Sequence, residues 1–98
     1  MLSPENGTRL RALVDFKITA LVHWNAPMTS GARCSVKRGT IFHVYLSADP
    51  SAGIIRATLE DRKLEATFVG KKDYASSSYA GLSFLFDARD IGRQLEWL

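Results

Sequence analysis

The stretch Leu10-Arg11-Ala12-Leu13-Val14-Asp15-Phe16-Lys17-Ile18-Thr19-Ala20-Leu21-Val22-His23-Trp24 decides the fold class. Every even-numbered residue in it is apolar. The odd positions carry Arg11, Asp15, Lys17, Thr19 and His23, with Leu13 and Leu21 as exceptions. A period of two puts one face in a core and the other in water, which is the pattern of an extended strand. A strand this long in a small domain has to bend, and the expected bend carries it from one sheet to another.

The rest of the chain continues the theme. Asn25 to Gly31 is a polar break and reads as a mobile loop. Ala32 to Val36 fits a short edge strand, and Lys37-Arg38-Gly39 turns the chain into Thr40 to Leu46. In that segment Phe42, Val44 and Leu46 share a face, while Ile41, His43 and Tyr45 point the other way. Asp49-Pro50-Ser51-Ala52-Gly53 is a turn in which proline sets φ and glycine supplies a left-handed exit. Ile55, Ala57 and Leu59 alternate in the next strand. Glu60 to Lys63 reads as a hairpin connection to a strand with Leu64, Ala66 and Phe68 inward. Gly70 to Ser78 is a second long polar loop, and Tyr79 to Phe86 is the last clear strand. The tail admits two readings: a helix capped by Asp87, with Ile91, Leu95 and Leu98 on one stripe, or a closing strand through Leu95 and Trp97. The helix is the favoured one. Ser3-Pro4-Glu5 suits a first helical turn that Gly7 keeps short.

The chain has 98 residues, enough for one domain spanning 1–98 and too few for two. The expected fold is therefore all-β or β-dominated: a small antiparallel barrel or sandwich of five to six strands with a short C-terminal helix or strand. The expected core is Val14, Phe16, Ile18, Val22, Phe42, Val44, Leu46, Ile55, Leu59, Leu64, Phe68, Leu82, Phe84 and Phe86.

Composition narrows the function classes. The apolar fraction of 46% with 23% charged residues excludes a disordered chain. Thirteen basic residues against ten acidic ones give a net charge of +3, which permits an anionic partner without demanding one. The lone cysteine, Cys34, excludes an internal disulfide and suits a reducing compartment, so a cytoplasmic location is expected. No signal peptide or membrane span is read in the chain.

Candidate chemistry is sparse. Cys34 with His23 or His43 lacks a helix N-terminus or glycine elbow to activate the thiol, and reads as a small buried hydrophobe. Two histidines twenty residues apart and one cysteine have no metal-ligand spacing. Glu60-Asp61 reads as a solvated turn, and Asp87 with Asp90 as a cap and a first-turn acid. No glycine-rich phosphate loop is present. Enzymatic, metal and cofactor roles are accordingly not expected.

Between Gly39-Thr40-Ile41-Phe42 and the Leu95-Glu96-Trp97-Leu98 tail, through Tyr79-Ala80-Gly81-Leu82-Ser83-Phe84, the chain resembles the PilZ family of small β-barrels. An aromatic–glycine segment before a final buried strand and a C-terminal helix is the shared pattern, over about 60 residues. Many members bind cyclic di-GMP through two arginines four apart. Arg9 with Arg11 and Arg33 with Arg38 miss that spacing. In the family's second motif serine follows an Asp or Asn two residues on, and glycine follows three further; in Asp49-Pro50-Ser51-Ala52-Gly53 the glycine arrives one residue early. The resemblance implies the barrel and does not carry the nucleotide with it.

The functional expectation is a non-enzymatic binding module with no cofactor. Leu13, Leu21, Ile41, Tyr45, Ile54 and Val69 fall on outward faces, a surplus that marks an interface. The candidate interface is His23, Ile41, His43, Tyr45 and Trp97, toward a protein partner or a second copy in a two-fold dimer. The alternative is a nucleotide- or nucleic-acid-binding barrel, PilZ-like or SH3-like. Its anion-binding residues would be Arg33, Lys37, Arg38, Lys71 and Lys72, beside His43, Tyr45 and Tyr74, if the two long loops share one end of the barrel.

Overall fold

The computed structural model describes residues 9–25, 28–45 and 53–98. The expected turn at Ser3-Pro4-Glu5, the core position of Leu46 and residues 49–52 of the proline turn lie outside them. Among the described residues seven strands form one antiparallel sheet: β1 (Arg9–Ala12), β2 (Phe16–Trp24), β3 (Thr29–Val36), β4 (Ile41–Val44), β5 (Ile54–Leu59), β6 (Tyr79–Asp87) and β7 (Leu95–Trp97). Their order is β3-β2-β6-β5-β4-β1-β7. Two short helices, α1 (Leu64–Val69) and α2 (Lys71–Tyr74), come between β5 and β6. The β-dominated antiparallel class is as the alternation implied, with seven strands in place of five or six.

The long opening strand is interrupted at Leu13-Val14-Asp15. Before the break, β1 pairs with β4 and β7; after it, β2 pairs with β3 and β6. The chain thus crosses from one end of the sheet to the other, as the bend required. Val14 sits in the break and is 45% exposed, so its expected place in the core is wrong. Period two cannot be carried through a residue that no strand holds.

The sheet curls around an aromatic centre. Phe42 on β4 meets Phe84 and Phe86 on β6 edge-to-face, with centroids 5.1 and 5.0 Å apart. Strands two apart in a flat sheet lie about 9–10 Å from each other, so the rings close that gap by pointing into the curl. Phe16 from β2 and Phe68 from α1 join the same cluster. Each such pair contributes about 0.5–1.5 kcal/mol beyond its buried area. Leu10, Ala12, Ala20, Cys34, Val36, Ala57 and Leu95 complete the core; they stand outside the expected core set, although Cys34 reads as a buried hydrophobe and Leu10, Ala12 and Ala20 fall on the inward face of the opening alternation. Phe16, Ile18, Leu64 and Phe68, expected at its centre, pack on it half-buried.

The segment expected to be a strand through Leu64, Ala66 and Phe68 is helix α1. Leu64 and Phe68 are two strand repeats apart and also one helical turn apart, so the pattern fits both. Glu65 decides between them. It is buried at 1% exposure, and its carboxylate accepts from Arg62 Nε and the Tyr79 hydroxyl. The connection before it is likewise a helix entry and no hairpin: Leu64 and Glu65 donate their N–H groups to the Asp61 and Arg62 carbonyls. Within the second long loop, residues 71–74 form α2.

The favoured helical tail is also corrected. Asp87 does cap, accepting the Arg89 N–H at 2.9 Å, but only a single 3-10 turn, Ala88–Asp90, follows. Gly92, at φ 89°, helps reverse the chain into β7, which pairs with β1 and buries Leu95 completely. Burying Leu95 and gaining the ladder outweigh a short exposed helix, which is marginal by itself.

Candidate functional site

The outward face of the sheet holds a hydrogen-bonded polar cluster. On β2, β4, β5 and β6 the residues that alternate with the core are Leu21 and His23; Ile41 and His43; Ile54, Arg56 and Thr58; and Ser83 and Leu85. Tyr45 follows β4 directly, and its N–H donates to the Arg56 carbonyl at 3.1 Å. Ladder register sets Leu21 opposite Ser83 and Arg56 opposite Leu85. Three side chains then link across the strands. His23 Nε2 lies 2.7 Å from Ser83 Oγ, and the Tyr45 hydroxyl lies 2.8 Å from the same oxygen. His23 and Tyr45 are half-buried, and Ser83 beneath them is 4% exposed.

A serine against a histidine invites a nucleophile–base reading. The geometry serves another end. Ser83 Oγ is covered and shared between two partners, which leaves it no open approach to a substrate carbonyl. The chain is a brace that fixes the Tyr45 and His23 rings on the surface. Beside it, the buried Arg56 Nε has no hydrogen-bond partner. Leu85 and Ile54 continue the face with 36% and 46% exposure.

Toward β1 and β7 the same face is tied by ion pairs. Glu60 accepts from Arg9 at 2.9 Å and from His43 Nε2 at 2.9 Å, and Arg11 is paired with Glu96. His43 and Arg9 together hold the Glu60 carboxyl below the ordinary glutamate value.

Of the expected interface residues, the structure brings His23 and Tyr45 together through Ser83, with His43 and Ile41 beside them on β4. Trp97 is elsewhere. It stands opposite Leu10 on β7 and packs against the core. Ser83 was invisible in the sequence, where a strand serine reads as merely wet.

The expected anion-binding residues fall into separate groups. The two long loops do meet: Asn25 donates its backbone N–H to the Ser78 carbonyl and its side-chain amide to that of Ser77, both at 2.7 Å. Lys71 and Lys72 are at that end, on α2 with Tyr74, which is 38% exposed and leans on Tyr79. Lys37 and Arg38 lie at the opposite end of the β2–β3 ladder, beyond the Phe16–Val36 pair. Arg33 is midway along β3, donating to Thr19 Oγ1 at 3.3 Å. Arg89 and Arg93 stand four apart, so that arginine spacing does occur in the chain; Arg89 is already bound to Asp87 at 2.8 Å.

Cys34 is fully buried, and burial pushes its thiol above the ordinary value, opposite to what a reactive thiolate needs. Among the described residues no three His, Cys, Asp or Glu side chains gather as a metal site. No helix among them is long and apolar enough to cross a membrane. Comparison with protein-family models, with curated proteins and with solved structures finds no match.

Proposed function

We propose that this protein is a non-enzymatic binding module that pairs with a second copy of itself through the outer face of β2, β6, β5 and β4. The observation that carries the reading is the braced His23–Ser83–Tyr45 chain, bordered by the exposed Leu85 and Ile54. Aromatic rings held in place lose little entropy on contact, and apolar neighbours supply the driving force. Charge supports a second copy as the occupant. Toward β1, Arg9, His43 and Glu60 satisfy one another, as do Arg11 and Glu96, so on that side little like charge opposes self-pairing, and Arg56 and Lys17 are the cations a second copy has to accommodate. A cytoplasmic location accords with the lone buried thiol.

The test is solution mass by light scattering across a concentration series, at low and high salt. A dimer that persists in high salt is expected, and Leu85→Lys should convert it to monomer while leaving the melting temperature within a few degrees of the parent. A monomer at every concentration overturns self-association. One observation favours a second reading: Lys71 and Lys72 adjoin the exposed Tyr74 ring, a pairing suited to a nucleotide or nucleic acid. That contact would weaken steeply with salt.

A further inference from the structure

Charge along this chain is segregated in a way the net value of +3 conceals. From Phe16 to Arg38, the β2–β3 hairpin and its following turn, stand Lys17, Arg33, Lys37 and Arg38 and no aspartate or glutamate. All ten acids lie outside that stretch. The nearest in sequence, Asp15, accepts the Arg38 backbone N–H at 2.7 Å at the turn. Lys17 stands opposite Ser35 and Arg33 opposite Thr19, so both cations share the outward face of the hairpin.

The same hairpin supplies an open sheet edge. β3 pairs with β2 over eight consecutive positions, His23–Thr29 to Phe16–Val36, with no bulge and no proline among the paired residues. Among the described residues no strand pairs with its other side. The opposite edge, β7, is three residues long. α1 packs against β3, where Cys34 and Val36 are buried, while Thr29, Ser30, Gly31, Arg33 and Ser35 remain exposed. An edge strand presents a row of unpaired N–H and C=O groups, and protein edges are usually shortened, bulged or covered.

We propose that β3 is a docking edge for an extended acidic segment of a partner protein, which adds as an antiparallel or parallel strand beside Thr29–Ser35. Main-chain hydrogen bonds would provide the attachment, and Arg33 and Lys17, with the Lys37–Arg38 turn, would select acidic side chains. A second copy is the weaker fit, because two β3 edges would bring two hairpins of four cations each together. A single-stranded nucleic acid needs open aromatic faces for its bases. On this hairpin the Trp24 ring is instead packed edge-on against Tyr79, with centroids 6.0 Å apart.

The experiment titrates the intact protein with a seven-residue peptide alternating glutamate with threonine and valine. Amide shifts report the site and fluorescence anisotropy the affinity. Two isomers of the peptide, N-methylated on alternate residues, separate edge pairing from mere charge. Shifts confined to Thr29–Ser35 and their β2 partners are expected, with one methylated isomer binding and the other not. The double variant Lys17→Glu/Arg33→Glu should weaken binding by about tenfold or more, since each reversed charge turns an attraction into a repulsion. Equal binding of both isomers, tighter binding of a single-stranded oligonucleotide, shifts centred on another face, or no binding by either unmethylated or methylated peptide would each overturn the proposal. Self-association through the outer face stands or falls separately, because Leu85→Lys leaves β3 untouched.

Discussion

The two ends of this sheet treat their cations in opposite ways. At the β1–β4–β7 end, Arg9 and Arg11 face Glu60 and Glu96 across the ladder, and each is neutralised where it stands. At the β2–β3 end, Lys17 stands opposite Ser35 and Arg33 donates to Thr19, and among the described residues neither forms an ion pair. The first arrangement closes a surface upon itself. The second leaves charge available to something else. Exposed ion pairs add little to stability, about 0–1 kcal/mol each, so the difference concerns recognition far more than folding.

The two ends share one core, and the largest expected effect comes from cutting it. Phe84 lies on β6, between the halves, and touches Phe42, Phe68 and Phe86. Phe84→Ala should cost about 3–5 kcal/mol in chemical denaturation, with both ends unfolding in one transition. Separate transitions would mean that the halves are independent units and would break the comparison.

Next in size is Glu65→Ala. It removes a buried carboxylate and leaves the half-buried Tyr79 hydroxyl without its acceptor, while the exposed Arg62 returns to water, at a cost of about 1–3 kcal/mol. Because α1 lies against β3, hydrogen exchange should rise first in the β2–β3 hairpin. In the parent protein, burial and then the Glu65 contact push the Tyr79 phenol well above its ordinary value. Its ultraviolet titration should therefore lie well above that of an ordinary tyrosine.

The smallest effect is the most specific to the comparison. Glu60 titrates below its ordinary value in the folded protein, and Asp87, held by Arg89, is drawn down to about 2. A lowered carboxylate contributes stability that is fully present above its unfolded value, about 4 for these side chains, and is lost as pH falls through the folded one. Stability should thus decline in acid. Glu60→Gln should flatten that decline slightly, and Arg33→Ala should leave its slope unchanged. A slope that responds to Arg33→Ala would reveal an acid partner at the hairpin and remove the asymmetry.

Much of this architecture is legible in short-range alternation. Phe42 with Val44, Ile55 with Leu59, and Leu82 with Phe84 and Phe86 all read inward and are inward. The misreadings share a cause, since each needs information from a distant segment. Leu64 and Phe68 suit either period, and only the burial of Glu65 against Tyr79, fourteen residues on, selects the helix. For Leu95 and Trp97 the local pattern allows helix or strand, and pairing with β1, far away in sequence, selects the strand. At the candidate site, His23 and Tyr45 stand out as outward aromatics, but Ser83 joins them through a register that no local pattern encodes.

The pairing of β1 with β7 also sets a timetable. Arg9 and Leu98 are neighbours, joined by a 3.0 Å backbone hydrogen bond, although they are separated by nearly the whole chain. During synthesis, at roughly 5–20 residues per second, β1 emerges several seconds or more before the strand that covers it exists. Leu10 and Ala12, both buried in the finished sheet, must wait out that interval without their final neighbour. Until Leu95–Trp97 have been made, β1 is therefore open to misassembly with other strands.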